Sequence, residues 1–328
     1  MNETKPQKPI VKLLYNGKDC TSDFSKYLNS VSFCDFENEQ SDELSLSLNN
    51  NDGYFSDLWY PNKNDKLTCN FIYGKEDFSC GSLTIDENSF EYGVDGDFLE
   101  IKALATTTKA SLRSNKIKNY SGKTLIQIAQ EIGKTHGFEV LKTNGNVKVG
   151  TIIQKNESDI SFLKRISREY GFIFNIKDGH LTFIELKELE NLEPICTITR
   201  TDIQSLNLTD AIYKMYGKVK VLYLDNKTKT LKTYTAIGDS QFNDTLTIYK
   251  RCANIEEAKN IANNALKSAH KEIKGNIELN KPLINFIAGV NFNLLGFGKF
   301  DGKYHVISTK RTINSNGYKL SGEIEKCI

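Results

Sequence analysis

The sequence predicts an α+β, mainly β protein whose elements run β, then α+β, then β with one long helix. Three observations carry this expectation. Segments alternating apolar and polar residues with a period near two fill the first hundred residues and return after Glu193. Apolar stripes of helical spacing occur in three places, after Ser121, after Ser158 and after Asn254. None of the five prolines falls inside a predicted helix.

Taken in order, Glu43–Leu48 sets Leu44, Leu46 and Leu48 on one strand face, and Leu67–Tyr73 alternates likewise. Asp52-Gly53 and the run Gly93 to Gly96 mark turns. Trp59, the single tryptophan, stands with Tyr60 before Pro61 in a stretch that reads as one helical turn capping a sheet. The texture changes near Arg113. Ser121 is placed to cap a helix bearing Leu125, Ile128, Ala129 and Ile132, which Gly137 stops. Ser158 opens a second helix, with Phe162, Leu163, Ile166 and Tyr170 inward and Gly171 at its end. Asp178-Gly179 then folds Phe172–Ile176 onto His180–Glu185 as a hairpin. Beyond Glu193, Lys218–Leu224 and Thr228–Ile237 form a hairpin turning at Asp225-Asn226. Asn254 caps the long helix, with Glu257 completing a capping box and Ala258, Ile261, Ala262, Ala265 and Ala269 along one face. A last hairpin, Tyr304–Ile313 with Tyr318–Glu325, turns at Asn316-Gly317. No short internal repeat is visible, and the alternative is that the two β-rich ends are two copies of one barrel diverged beyond direct comparison.

At 328 residues the chain has room for two or three cores. Its 43 basic against 41 acidic residues leave a formal charge of +2, without the footprint of a nucleic-acid-binding domain. The longest greasy segment, Leu283 to Phe297, is broken by Asn285, Asn291 and Asn293 and is too short for a membrane span. Met1 to Tyr15 has no signal-peptide core, so synthesis in the cytoplasm is expected. Seven scattered cysteines without a CxxC pair read as reduced thiols, although Cys69 and Cys80 could face each other across a hairpin.

Chemical motifs are few. Gly122-Lys-Thr124 and Gly133-Lys-Thr135 mimic the end of a phosphate-binding loop, but Ile117 and Ile128 occupy the positions that loop reserves for glycine. His136, His180, His270 and His305 show no metal-ligand spacing. Asp86, Glu87 and Glu91 could supply carboxylates but read as solvated strand charge, and Gly296, Gly298 and Gly302 read as turn and bulge glycines. From Tyr213 to Tyr234, lysines 214, 218, 220, 227, 229 and 232 alternate with tyrosines 213, 216, 223 and 234. Such interleaving suits single-stranded nucleic acid, or equally an exposed hairpin whose lysines discourage aggregation; the second reading is preferred.

Three stretches carry a resemblance. The first is Ser41-Asp-Glu-Leu-Ser-Leu-Ser-Leu48 with Asp52-Gly-Tyr-Phe55, Trp59-Tyr-Pro61 and Gly81-Ser-Leu-Thr-Ile-Asp86. The second is Gly122-Lys-Thr-Leu-Ile-Gln-Ile-Ala129, His136-Gly137, Glu157 through Ile166, and Tyr170-Gly-Phe172. The third is Ala288-Gly289, Gly296-Phe-Gly298, Asp301-Gly-Lys-Tyr-His-Val306 and Gly317-Tyr318. In this order they resemble the phage late control D family, tail hub proteins similar to the N-terminal part of VgrG spike proteins.

The resemblance implies two tail-tube-like β-barrel domains, residues 1–112 and 193–328, the latter with the long helix, around an α+β domain at 113–192. It implies a homotrimeric, non-catalytic baseplate hub joining a hexameric tail tube to a trimeric spike. The expected partners are the tube protein, a spike protein and other baseplate proteins. No cofactor or metal is expected, and nucleic acid only by passage through the lumen. The chain ends after the last hairpin, where VgrG-type chains continue, so the spike is expected on a separate polypeptide. The product would join a phage tail or another contractile injection particle. Trp59 and Tyr60 are the candidate interface residues, as aromatics commonly anchor such contacts. The competing reading is a tail-associated cell-wall hydrolase or glycan-binding module.

Overall fold

The computed structural model describes residues 9–94, 96–105, 110–142, 147–177, 179–211, 216–225, 228–238, 241–269 and 273–327. Its first part holds strands β1 (Ile10–Tyr15), β2 (Lys18–Asp19), β3 (Leu28–Phe36), β4 (Glu43–Asn49), β5 (Lys66–Tyr73), β6 (Glu76–Gly93) and β7 (Gly96–Leu104), with a short helix α1 (Thr21–Ser25). The predicted leucine face of β4 is real. Leu44, Leu46 and Leu48 lie opposite Ala103, Ile101 and Leu99 of β7, and Val31 and Phe33 of β3 complete the layer. All are buried in one core with Leu13, Phe24, Phe55 and Phe71. Strand β6 is long enough to serve two ladders, pairing with β5 up to Thr84 and with β7 from Thr84 onward. A bulge lies where Cys69 faces the Ser79–Ser82 stretch, and Gly81 there takes φ +70, a conformation open to glycine.

The middle part begins with α2 (Ala110–Arg113) and β8 (Asn115–Ser121), followed by α3 (Leu125–His136) and β9 (Glu139–Lys142). Then come β10 (Thr151–Ser158), α4 (Asp159–Tyr170), β11 (Phe172–Lys177), β12 (His180–Glu185) and α5 (Leu186–Glu190). Ser158 caps α4 and Gly171 ends it in the left-handed conformation, as predicted. The cap of α3 is Thr124 rather than Ser121. Ser121 ends β8 opposite Thr151, whereas Thr124 and Gln127 form a reciprocal capping box. Strands β11 and β12 form the predicted hairpin; of its turn, Asp178 lies outside the described residues.

The last part comprises β13 (Thr197–Ile198), β14 (Ile203–Asp210), β15 (Lys218–Leu224), β16 (Leu231–Ile237), β17 (Thr245–Lys250), α6 (Ile255–Ala269), β18 (Ile273–Leu279), β19 (Asn291–Leu294), β20 (Gly302–Asn314) and β21 (Gly317–Lys326). It contributes to all three cores, Ile313 of β20 joining the first. Ile198, Ile277, Phe286, Phe292, Tyr304 and Ile324 build one of their own. Val219, Val221 and Tyr223 of β15, with Ala258, Ile261 and Ala262 of α6, pack into the middle core against Phe162 and Ile166. Asn254 accepts the Glu257 N–H as predicted, at 2.9 Å. The Glu257 carboxylate turns inward instead of bonding the cap backbone, and accepts from Gly150 N, Ala253 N and the Tyr170 hydroxyl. Asn226 of the β15–β16 turn and Asp95 of the β6–β7 turn lie outside the described residues.

One strand joins the ends of the chain. β20 pairs with β19 and β21 and, through Ser308–Ile313, with β3. The two β-rich ends therefore share a single mainly antiparallel sheet of thirteen strands.

Candidate interaction surface

Trp59 and Tyr60 sit on a loop that other side chains hold in place. The Asn50 oxygen accepts the Phe55 N–H at 2.7 Å, and Gly53 at φ +75 lets the chain turn into a short 3-10 helix, Tyr54–Ser56. Phe55 is driven into the core against Phe24 and Tyr27. The Trp59 N–H then bonds the Tyr54 carbonyl, and the two rings meet edge to face at 6.1 Å. Beyond Pro61, the Tyr15 hydroxyl accepts the Asn62 N–H and donates to Asp65. The predicted helical turn is thus real, but it displays its aromatics more than it buries them. Trp59 is 44% exposed, Tyr60 47% and Leu58 81%, beside a cleft of about 440 Å³ that also reaches Asp19 and Asp23.

A second feature, invisible in the sequence, is the junction of the three parts. Lys177 of β11 reaches Asp35 of β3 at 2.5 Å and Asp42 at 2.9 Å. Burial pushes Asp42 up to about 6, against the pull of Lys177. Burial also disfavours the Lys177 ammonium, but Asp35 and Asp42 outweigh it and hold its pKa above the usual lysine value. Asp35 accepts the Ala288 N–H as well, and Asn175 donates to the Phe36 carbonyl. Next to them, buried His305 places Nε2 2.5 Å from Glu37 and Nδ1 2.7 Å from the Asn291 oxygen. The Asn291 amide in turn donates to the carbonyls of Leu189 and Leu192. Its oxygen therefore faces the imidazole, which donates from Nδ1. Arg311, fully buried, stacks on Phe78 at 3.7 Å and donates to the carbonyls of Leu283, Ile284 and Phe286. This junction can hold three units in fixed relation; its partners lie up to 268 positions apart, and no local motif announces them.

The remaining candidates are structural in their surroundings. Gly122-Lys-Thr124 precedes α3, where the Thr124 hydroxyl is engaged in the cap and Lys123 pairs with Glu131. Gly133-Lys-Thr135 lies within α3, and Thr135 donates to the Glu131 carbonyl. His136 is buried 2.7 Å from Asp159, which also binds Lys116 and Gln154. His180 is 3.4 Å from Glu139, and His270 lies outside the described residues. All seven cysteines are free, and Cys80 lies in hydrogen-bonding contact with Cys69 as the hairpin suggested. Gly298–Phe300 is a 3-10 turn between β19 and β20. Glu87 and Glu91 stand exposed on β6, with Asp86 half-buried beside them, and Glu87 is 4.0 Å from Lys102. Tyr213, Lys214 and Lys227 lie outside the described residues; of the rest, Tyr223 faces the middle core, so the lysine-rich hairpin does not present it as a stacking platform. Among the described residues, no helix is long and apolar enough to cross a membrane.

No protein-family model matches the chain. It is 27% identical over 201 residues to the probable baseplate hub protein of Escherichia phage 186, covering 59% of this chain and 50% of that protein. It is 27% identical over 226 residues to the corresponding protein of Escherichia phage P2, covering 67% and 57%. The chain thus spans about half the length of the curated relatives it matches. A tail protein from Neisseria meningitidis shares the fold over 97% of both chains, with a TM-score of 0.74 and 12% identity. An E. coli component of the type VI secretion system, described as similar to T4 tail proteins gp27 and gp5, aligns with a TM-score of 0.57 and 11% identity over 91% of this chain and 73% of its own. By sequence the chain is related to phage baseplate hub proteins, and its fold is that of phage tail proteins and of a type VI secretion component.

Proposed function

We propose that this protein is a structural hub without catalysis, a homotrimer that adapts a hexameric tail tube to a threefold spike in a phage tail or tail-like injection particle. The observation that carries the reading is the shared thirteen-stranded sheet, in a chain related to baseplate hubs. Two β units, within residues 1–112 and 193–328, would act as tube-like barrels, so that three chains offer six similar faces to the tube. The α+β unit between them and the β20–β3 ladder would keep the two in register, as a load-bearing adaptor requires. Closed cyclic assembly suits such a role. Trp59 and Tyr60 would anchor a contact with a neighbouring baseplate component, since they are exposed on a loop held rigid from beneath.

Light scattering on the purified protein, alone and with co-expressed spike candidates, tests the reading. A mass three times the 37.1 kDa of the chain is expected. A chain that stays monomeric with every candidate present would overturn the trimeric hub. Changing Trp59 and Tyr60 to Ala is expected to alter stability by no more than about 1 kcal/mol while reducing the fraction bound to a tube or spike partner.

A further inference from the structure

Two of the smaller sheets leave a strand edge unpaired, and those two edges face each other. Among the described residues, β10 pairs with β8 alone and β17 with β15 alone. Between them lies a cleft of about 430 Å³. Thr151, Ile152 and Ile153 line one wall, and Tyr249, Lys250 and Arg251 line the other. Consecutive residues on both walls mean that the strands present their edges, because a strand face would show every second residue. The hydrogen bonds agree. The Ile153 carbonyl and the Lys155 N–H bond the side chains of Arg165 and Glu157 rather than β8, which marks the odd positions of β10 as outward. Asp244, just before β17, gives its carbonyl to the Lys218 N–H of β15, so by alternation Tyr249 and Arg251 turn outward. The walls converge where the Glu257 carboxylate accepts from both Gly150 N and Ala253 N, and a Cβ on Gly150 would stand 2.9 Å from Ala253 N.

The lining carries Lys155, Arg165, Lys250 and Arg251 and no acid. Arg165 is neutralised by Glu157, and Lys250 by Glu169. Lys155 and Arg251 are exposed, and neither makes an ion pair among the described residues. One uncompensated cation therefore stands on each wall. Cations that only guard an edge against aggregation require neither a cleft nor a second edge facing the first.

We propose that this cleft takes an extended, acidic segment of a partner polypeptide, which adds as a strand between β10 and β17. Its backbone meets the outward groups of Thr151 and Tyr249, while its carboxylates meet Lys155 and Arg251. The segment is extended because a helix has already bonded its backbone groups within itself. A nucleic-acid strand would match the cations, but phosphate oxygens only accept and leave the edge carbonyls without a donor. Main-chain bonds supply the affinity, and the two charges select the segment. The site is complete within one copy and so stands independently of the trimeric hub reading.

Fluorescence anisotropy on the full chain tests it, the probe being a labelled peptide of about eight residues that alternates glutamate and valine. It is expected to bind at least about tenfold tighter than the matching lysine–valine peptide. The reversal K155E/R251E, with folding checked by near-ultraviolet circular dichroism, is expected to invert that preference. Methylating alternate backbone nitrogens of the probe is expected to weaken binding at least about tenfold, since it removes the strand-edge donors. Bound probe is expected to slow amide exchange at Thr151 and Tyr249. A glutamate–valine peptide that does not bind, or that binds equally well when methylated, would overturn the proposal. So would a labelled oligothymidine that binds in its place with the same sensitivity to K155E/R251E. A chain that is monomeric and still binds the probe would remove the trimer and leave this site standing.

Discussion

Arg311 directs its guanidinium at backbone and ring. One nitrogen donates to three successive-turn carbonyls, those of Leu283, Ile284 and Phe286, and the guanidinium carbon lies over Phe78. Burial lowers its pKa below the usual value, with Tyr318 and Asp35 working the other way. The residue thus fixes the 283–286 loop of the last part against a strand of the first. Arg311→Met keeps most of the stem volume but strands the carbonyls. Urea unfolding is expected to show a loss of about 2–4 kcal/mol, against little change for an exposed lysine such as Lys259. Sequence inspection had no handle on Arg311, since one arginine in an alternating strand looks like a solvent-facing residue. Trp59 and Tyr60 were legible as candidates from residue type alone, whereas their exposure depends on which neighbour, Phe55, takes the inward position.

At the scale of elements, local chemistry was read well where the signal is short-range. Gly137 and Gly171 end their helices at φ +72 and +75, because a left-handed cap suits glycine and little else. The α3 cap shows the limit. Ser121 and Thr124 are both competent caps three residues apart, and the β8–β10 ladder claims Ser121 for a strand. The assignment predicts that Thr124→Ala costs about 1 kcal/mol by removing the capping box, while Ser121→Ala costs a few tenths at most. Chemical denaturation of the two variants side by side checks it. Glu257 departs for a similar reason. Its spacing from Asn254 suits a capping box, but two backbone N–H groups and the Tyr170 hydroxyl, all needing a buried acceptor, draw the carboxylate inward.

Across the whole molecule, the junction decides how the parts stand to one another. Lys177 lies between Asp35 and Asp42, which come from the first part and its edge. A lysine pKa raised by folding means stability that is complete below the unfolded lysine value and lost only as pH rises through the folded one. Asp42 has the same sign in a lower window: its carboxyl is raised to about 6, so stability is lost as pH climbs from the ordinary carboxylate range through that value. Lys177→Met removes the compensating charge. Its destabilisation is therefore expected to be larger near pH 8, about 2–4 kcal/mol, than near pH 5, where Asp42 can take a proton. Urea melts at the two pH values measure the difference, and equal losses would show that the ion pairs contribute nothing beyond packing.

By itself the sequence determined the mainly β class, the β, α+β, β order, most helix ends and the hub resemblance. Each of these rests on periodicity, caps or motif order that operate over a few residues. Only the tertiary structure decided that β15–β17 and α6 complete the middle core, that β20 ladders onto β3, and that His305 meets Glu37. Those outcomes depend on which apolar faces find each other after collapse. An alternating strand such as β15 states that it has one inward face but not which core will cover it. The physical reason is that burial is non-directional and long-range in sequence, whereas hydrogen-bonded caps and turns are directional and local.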